Sequence, residues 1–276
     1  MNSKKTIITS FILFFSIYSY GQKLVELWRT GPAMKTPESA LYSPELGVIF
    51  VSNINGNATA KDGNGFISLL APDGAIRKMK WVTGLNAPKG LALYNGKLYV
   101  SDIDELVEID IDSEKISNRF PAPGAIFLND VAVAEDGKIY VSDGRTDKIH
   151  ILDQGKLTVW LDDDQLKNIN GLYVEGDMLY AGSAKIQRID RNTKKIETIR
   201  NGCGGIDGLT KDNSGHFIFS NWPGRIFYLE NGKMTKLIET APEKINTADI
   251  SFAGALNLLL VPTFNDNQIV AYQIEK

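Results

Sequence analysis

A short pattern of strand, turn and strand recurs six times along this chain. Each copy opens on one lead residue, continues into an apolar run, turns, and ends in a second apolar run followed by a small or polar residue. The copies recur about every 40 residues, with a longer first step. The six lead residues are Glu38, Lys89, Asn129, Asn170, Asp207 and Ala248. A unit of this length holding four short strands is typical of a β-propeller.

The turns and the segments that follow them also favour strands. Within the copies the turns use 95–96, 136–137 and 176–177, which pair Gly with Asn or Asp, residues that tolerate positive φ. No segment has a sustained helical period, so the chain is predicted to be all-β. Further strands are predicted at 106–111, 148–152, 157–161, 186–190 and 225–229.

The two ends of the chain are predicted to complete a ring. The sixth copy has a third strand at 268–274 but no fourth, whereas a spare strand at 23–30 precedes the first copy. Pairing this N-terminal strand as the outer strand of the last blade would cover an open edge. We therefore predict six blades of four antiparallel strands, each lining a central channel with its first strand. A ring closed in this way is expected to be a monomer.

Residues 1–21 have the pattern of an export signal. Lys4 and Lys5 precede an apolar run at 7–18, and Ser19 and Gly21 are the small residues of a cleavage site. The run is shorter than the roughly 20 residues of a spanning helix, and an uncleaved anchor is the alternative. We expect residues 22–276 to form the mature propeller domain, periplasmic or secreted and not bound to a membrane.

Composition excludes several kinds of function. The chain carries 30 Lys and Arg against 33 Asp and Glu without a basic cluster, which argues against nucleic acid as a partner. Cys203 is the only cysteine, so an intrachain disulfide and a multi-cysteine metal site are both excluded. His150 and His216 fall on a third strand and in a turn, away from the predicted channel mouth. Oxygen-bearing side chains therefore carry the candidate chemistry.

The lead residues are predicted to converge at one mouth of the channel. Neighbouring strands of a blade are antiparallel, so first strands start where second strands end. Glu38, Asn129, Asn170 and Asp207 would together form an oxygen-rich cage suited to calcium, magnesium or manganese. The alternative is that these groups only cap strands and solvate a channel. Residues just after the second strands are expected to ring the same mouth, namely Asn53, Asp102, Asp143, Arg145, Ser183, Asn221, Trp222 and Thr263.

From these residues the chain, over 22–276, resembles the gluconolactonase/regucalcin (senescence marker protein) family of six-bladed propellers. The local matches are P-E-S-A, F-L-N-D-V, I-N-G-L and I-D-G-L at successive lead positions. The resemblance implies hydrolysis of sugar lactones or related small esters. It also implies one divalent cation, calcium first, with magnesium, manganese or zinc as alternatives. In that reading Glu38, Asn170 and Asp207 hold the metal, Asp207 also serves as the catalytic acid–base, and Asn129 contacts substrate or water.

Two positions depart from that family. Phe127 stands where the family has a substrate-gripping arginine, and Arg145 is a candidate to replace it. Lys89 stands where related enzymes tend to have a small residue, so it could bind an anionic substrate or neutralise the carboxylates in place of the metal. Trp222 offers a platform for a sugar face, and segment 53–65 is expected to cover the mouth as a loop. The alternative function is a non-catalytic propeller that binds a small ligand, glycan or protein.

Overall fold

The structure, a computed structural model, describes residues 22–275 as a ring of six four-stranded antiparallel sheets. Besides the strands there are two single 3₁₀ turns, η1 (Asp164–Leu166) and η2 (Phe264–Asp266). The strands are β1 (Lys23–Arg29), β2 (Pro37–Ser43), β3 (Val48–Asn53), β4 (Gly65–Leu70), β5 (Ile76–Leu85), β6 (Pro88–Tyr94), β7 (Lys97–Asp102), β8 (Glu105–Asp110), β9 (Lys115–Pro121), β10 (Leu128–Val133), β11 (Ile139–Asp143), β12 (Lys148–Asp153), β13 (Lys156–Asp162), β14 (Leu172–Glu175), β15 (Met178–Gly182), β16 (Lys185–Asp190), β17 (Ile196–Asn201), β18 (Leu209–Lys211), β19 (Phe217–Asn221), β20 (Arg225–Glu230), β21 (Lys233–Glu239), β22 (Ser251–Ala253), β23 (Leu258–Pro262) and β24 (Ile269–Glu275).

The blades follow chain order except at the closure. Blades one to five are β2–β5, β6–β9, β10–β13, β14–β17 and β18–β21, and blade six is β22–β23–β24–β1. Strand β1 pairs antiparallel with β24, with Lys23 opposite Glu275 and Arg29 opposite Val270. At the axis, Ser39 of blade one bridges Asp249 just before β22. The predicted all-β, six-bladed fold with its N-terminal closing strand is therefore confirmed.

The apolar core lies between adjacent blades. In β12, Ile149 and Ile151 pack with the cluster shared with blade four, whereas Leu152 packs with residues of blade two. Both faces of each blade are thus covered, which explains why second strands such as β3 and β23 are buried at every position. This burial on both faces makes the blades radial plates around one axis.

Glycines let the innermost strands approach one another closely. A Cβ on Gly90 would lie 2.6 Å from the carbonyl oxygen of Asn129, and one on Gly208 would lie 2.2 Å from the amide nitrogen of Ile250. Both distances are below ordinary contact, so only glycine fits there without a shift of the backbone. Because each glycine follows a lead residue, the same close approach holds the lead side chains near the axis.

Residues 22–275 include no helix long and apolar enough to cross a membrane. The predicted export signal at 1–21 lies outside the described residues.

Candidate functional site

The lead residues lie at the starts of the innermost strands, at one end of the channel. Glu38, Lys89 and Asn129 are each the second residue of β2, β6 and β10, and all three are buried. Asn170 and Asp207 stand two residues before β14 and β18. The direct contact within this set is a 2.6 Å hydrogen bond that Asn170 Nδ2 donates to Asp207 Oδ1.

Four oxygens of this set are buried without a hydrogen-bond partner among the described residues. They are Oε2 of Glu38, Oδ2 of Asp207, and Oδ1 of both Asn129 and Asn170. An unsatisfied buried polar atom costs about 1–3 kcal/mol, so each of these four oxygens would gain from a ligand that supplies a partner. Carboxylate and carboxamide oxygens are the ligands of hard divalent cations, and this donor set fits such an ion.

Burial also disfavours charge on the two lead carboxyls. It raises the pKa of Glu38 well above its ordinary value; the Asp207 and Asp130 charges add to the shift, and that of Lys89 opposes it. Burial likewise raises the pKa of Asp207 to about 7, against the opposing hydrogen bond from Asn170. Glu38 and Asp207 are close enough to repel each other, and a positive charge between them would relieve both costs.

A metal ion here would depend on amide oxygens. Within 22–275 no group of three or more His, Cys, Asp or Glu side chains is arranged to hold a metal. The set Glu38, Asn170 and Asp207 combines two carboxylates with one carboxamide. Calcium accepts mixed sets of this kind, whereas zinc sites are mostly built from His and Cys.

Lys89 does not pair with the lead carboxylates. Its ammonium donates a 3.0 Å hydrogen bond to the carbonyl of Ala87 and lies 4.5 Å from the centre of the Phe127 ring. The described chain has no ion pair of 4.0 Å or less between this ammonium and a carboxylate. Burial lowers the pKa of Lys89 to about 8, with the charge of Glu38 opposing the shift. Lys89 therefore acts on the charge of Glu38 without donating a hydrogen bond to it.

Phe127 contacts two cations at the edge of the mouth. The guanidinium carbon of Arg145 lies 4.8 Å from the Phe127 ring centre, on the ring that Lys89 also contacts. Phe127 precedes β10 and Arg145 follows β11, so the two come together from one blade. One cation from blade two and one from blade three thus meet on this ring.

Trp222 and the loop after β3 both pack against Phe264. Trp222 is 41% exposed and meets Phe264 edge-on with the ring centres 5.5 Å apart. Ile54 and Ala58 of the loop pack with Phe264 and with residues of blade two. The Lys61 ammonium in this loop lies 2.6 Å from an Asp104 oxygen. The loop is thus held by contacts with blades two and six.

Several polar residues after the second strands bond to neighbouring backbone instead of facing the channel axis. Asp143 is fully buried and accepts hydrogen bonds from the backbone N–H groups of Ile126, Phe127, Arg145 and Thr146. Asp102 accepts from the backbone of Asn86 and Ala87 in the same way. Asp102 and Asp143 thus tie down the loops that enter blades two and three, because those loops have backbone donors without strand partners. Asn53 and Asn221 are likewise bonded to neighbouring backbone.

Sequence reasoning missed a second layer of carboxylates just below the lead residues. Asp130 accepts 2.6 Å hydrogen bonds from the backbone of Val131 and Leu172, and Asp249 accepts one of 2.6 Å from the Ser39 hydroxyl. Burial raises the pKa of Asp130 to about 7 and that of Asp249 well above its ordinary value, the latter with added repulsion from Asp130. The signal was present in the repeat, where the residue after the lead is Gly in three copies and Asp in two.

Comparisons with known proteins place the chain by fold and not by family. No protein-family profile matches it, and no curated protein matches it by sequence. A catalytically inactive histidine-to-alanine variant of virginiamycin B lyase from Staphylococcus aureus, solved with quinupristin, has a TM-score of 0.63 at 16% identity over 92% of this chain and 99% of that one.

Two further solved structures extend the comparison. A streptogramin B lyase has a TM-score of 0.67 at 15% identity, covering 92% of this chain and 98% of that chain. A chain of a nidogen/laminin complex has a TM-score of 0.65 at 17% identity, covering 76% and 86%. Identities this low show the shared propeller fold alone. The resemblance to the gluconolactonase family remains a prediction.

Proposed function

We propose that the channel mouth binds one divalent cation, calcium first, and hydrolyses a small lactone or related ester. The observation that carries this proposal is the set of four buried side-chain oxygens, from four blades, that lack hydrogen-bond partners among the described residues. The placement of Lys89 supports it, because its ammonium contacts Ala87 and Phe127 and donates no hydrogen bond to Glu38 or Asp207.

Glu38, Asn170 and Asp207 would hold the cation. When bound, the cation would act as a Lewis acid on the ester carbonyl. Asn170 orients the Asp207 carboxylate through its hydrogen bond to Oδ1, so Oδ1 would hold the cation while Oδ2 would remain available for proton transfer. That oxygen would take a proton from the attacking water and return it to the leaving alkoxide, so that a lactone opens to a hydroxy acid. Asn129, with its free Oδ1, would orient a substrate hydroxyl.

Residues around the channel mouth would determine which substrate binds. Lys89 and Arg145, both on the Phe127 ring, favour an ester that carries an anionic group. Trp222 is exposed on the same face and would contact the apolar side of a sugar ring. A sugar-acid lactone combines these properties.

Cation binding is the first test. Protein stripped with EDTA is titrated calorimetrically with Ca²⁺, Mg²⁺, Mn²⁺ and Zn²⁺, and hydrolysis of a lactone panel is then followed with each ion. Glu38→Gln and Asp207→Asn should each weaken cation binding at least tenfold and abolish hydrolysis. Glu45→Gln, at an exposed position of the turn after β2, is the matched control and should change neither. Absence of cation binding, or full activity in Asp207→Asn, would refute the proposal.

The second candidate is a propeller that binds a ligand at the mouth without turnover. Phe127, which takes the place of the arginine expected from the family resemblance, favours it. Cation binding together with retention of unreacted lactones would select this function.

We do not propose a lyase activity. The virginiamycin B lyase variant solved with quinupristin is catalytically inactive through the change of one histidine to alanine. In this chain His150 is buried in β12, opposite Val141 and Val159. His216 contacts the Tyr228 hydroxyl at 2.8 Å, just before β19. Both histidines lie away from the lead residues.

A further inference from the structure

A cavity of about 370 Å³ occupies the central channel on the far side of the lead residues. The innermost strands of all six blades line it, and none of the six lead residues does. It begins at the layer that contains Ser39, Asp130 and Asp249 and follows the strands to their far ends near Pro44 and Phe252. It is therefore separate from the channel mouth and requires its own explanation.

The walls of this cavity are mostly apolar. Leu41, Leu93, Val133, Val174 and Phe252 contribute from five blades along its length. Its volume falls at the lower end of the range for small-molecule sites, which is enough for one aromatic ring with a short chain. No Lys, Arg or His side chain of the described residues lines it. The only charged groups facing it are carboxylates at its inner end.

Asp249 is the group in that layer that lacks a full set of partners. It is 7% exposed, and its Oδ2 accepts the hydroxyl of Ser39 at 2.6 Å. No donor of the described residues contacts its Oδ1. Asp130, by contrast, uses both carboxylate oxygens on backbone amides. A Cβ on Gly208 would lie 2.8 Å from Oδ1 of Asp249, so the glycine leaves that oxygen room at the cavity floor.

We propose that this cavity binds a small amphipathic monocation, a primary amine with an apolar body, whose ammonium contacts Asp249. An ammonium supplies the donor that Oδ1 lacks and compensates the buried carboxylate. The apolar body lies along the Leu, Val and Phe walls and gains from leaving water. An anion would meet two carboxylates without a cation, and a hydrated metal ion would gain nothing from apolar walls.

The test compares three ligands of similar shape on the unmodified protein in EDTA, so that its outcome is independent of cation binding at the mouth. 2-Phenylethylamine, 2-phenylethanol and phenylacetate are each titrated by calorimetry. The amine should bind at least tenfold more tightly than the alcohol, and phenylacetate should not bind. Equal affinity for amine and alcohol, or no binding of the amine, would overturn the proposal.

Variants then locate the bound amine. Asp249→Asn should weaken amine binding at least tenfold and leave the alcohol unchanged, whereas Val133→Trp should fill the channel and weaken both. Stronger loss in Glu38→Gln than in Asp249→Asn would place the amine at the mouth and refute this site. The three-ligand comparison needs no variant, so a failure of Asp249→Asn to fold does not remove the test.

Discussion

Two sets of buried carboxylates lie at the same end of this propeller and differ in what surrounds them. Asp102 and Asp143, after the second strands, are satisfied by backbone N–H groups of the entering loops. Glu38 and Asp207, before or at the first strands, are equally buried but each keeps one oxygen without a partner. Both kinds of carboxylate are buried. Their hydrogen-bond partners therefore distinguish a carboxylate that stabilises the fold from one that is free to bind a ligand.

The largest change in stability is expected from Asp102 and Asp143, the carboxylates that accept hydrogen bonds from backbone N–H groups. Asp143→Ala should lower the free energy of unfolding by about 3–5 kcal/mol, because four backbone N–H groups lose a charged acceptor. Urea denaturation followed by tryptophan fluorescence measures this. The control is Asp162→Ala, at a carboxylate that is 64% exposed, where the change should stay below about 1 kcal/mol. A similarly small loss of unfolding free energy in both variants would mean that the backbone N–H groups bound by Asp143 find other hydrogen-bond acceptors.

Replacing Glu38 or Asp207, the carboxylates with an oxygen that lacks a partner, should have the opposite effect on stability. Asp207→Asn should raise the free energy of unfolding in EDTA at pH 7.5 by about 2–4 kcal/mol, since a carboxyl with a pKa near 7 in the fold ionises at a cost. Saturating Ca²⁺ should reverse the order and make the unmodified protein the more stable one. A variant less stable than the unmodified protein in EDTA would show that the Asp207 carboxylate is structural.

The difference in unfolding free energy between Asp207→Asn and the unmodified protein should increase with pH. The folded pKa of Asp207, about 7, is above its unfolded value near 3.8, so the carboxylate costs nothing below about pH 4. The advantage of Asp207→Asn should therefore appear between pH 4 and 7, grow by about 1.4 kcal/mol per pH unit at most, and level off above pH 7. Urea melts of both proteins at five pH values measure it. An advantage that is constant with pH would exclude titration of this group as the cause.

The smallest effect is expected on Ca²⁺ affinity when Lys89 is replaced. Lys89→Met removes a positive charge that acts on Glu38 and keeps an unbranched chain against Phe127, so Ca²⁺ affinity should rise about 3–10-fold. Lys233→Met, at an exposed position of β21, should leave the affinity unchanged. Calorimetric titration measures both. If only Lys89→Met allows Ca²⁺ to bind, then the lysine takes the place of the cation in the native protein.

The fold was readable from the sequence because its signals are local. Alternation of apolar runs with turns at 95–96 and 136–137 marks each hairpin, and repetition at a nearly constant spacing marks the ring. The closing strand followed from counting, since the sixth copy lacked one strand and the N-terminus had one to spare. Its partner was predicted at 268–274 and is observed at Ile269–Glu275.

The sequence did not predict the roles of the polar residues in the same way. Asp143 and Asp207 have the same side chain, and sequence placed both at the mouth. Asp143 is satisfied by backbone up to 17 residues earlier, and Asp130 by the amide of Leu172, 42 residues later in the next blade. Such partners are set by the position of one blade relative to another.

By itself, then, the sequence determined the number of blades, their strands and the way the ring closes, because each depends on burying apolar side chains at regular intervals. The tertiary structure alone decided which oxygens are left open at the axis and that Lys89 contacts Phe127 rather than Glu38. The physical reason is that hydrogen bonds act over about 3 Å, and the chain segments that meet at this distance come from different blades.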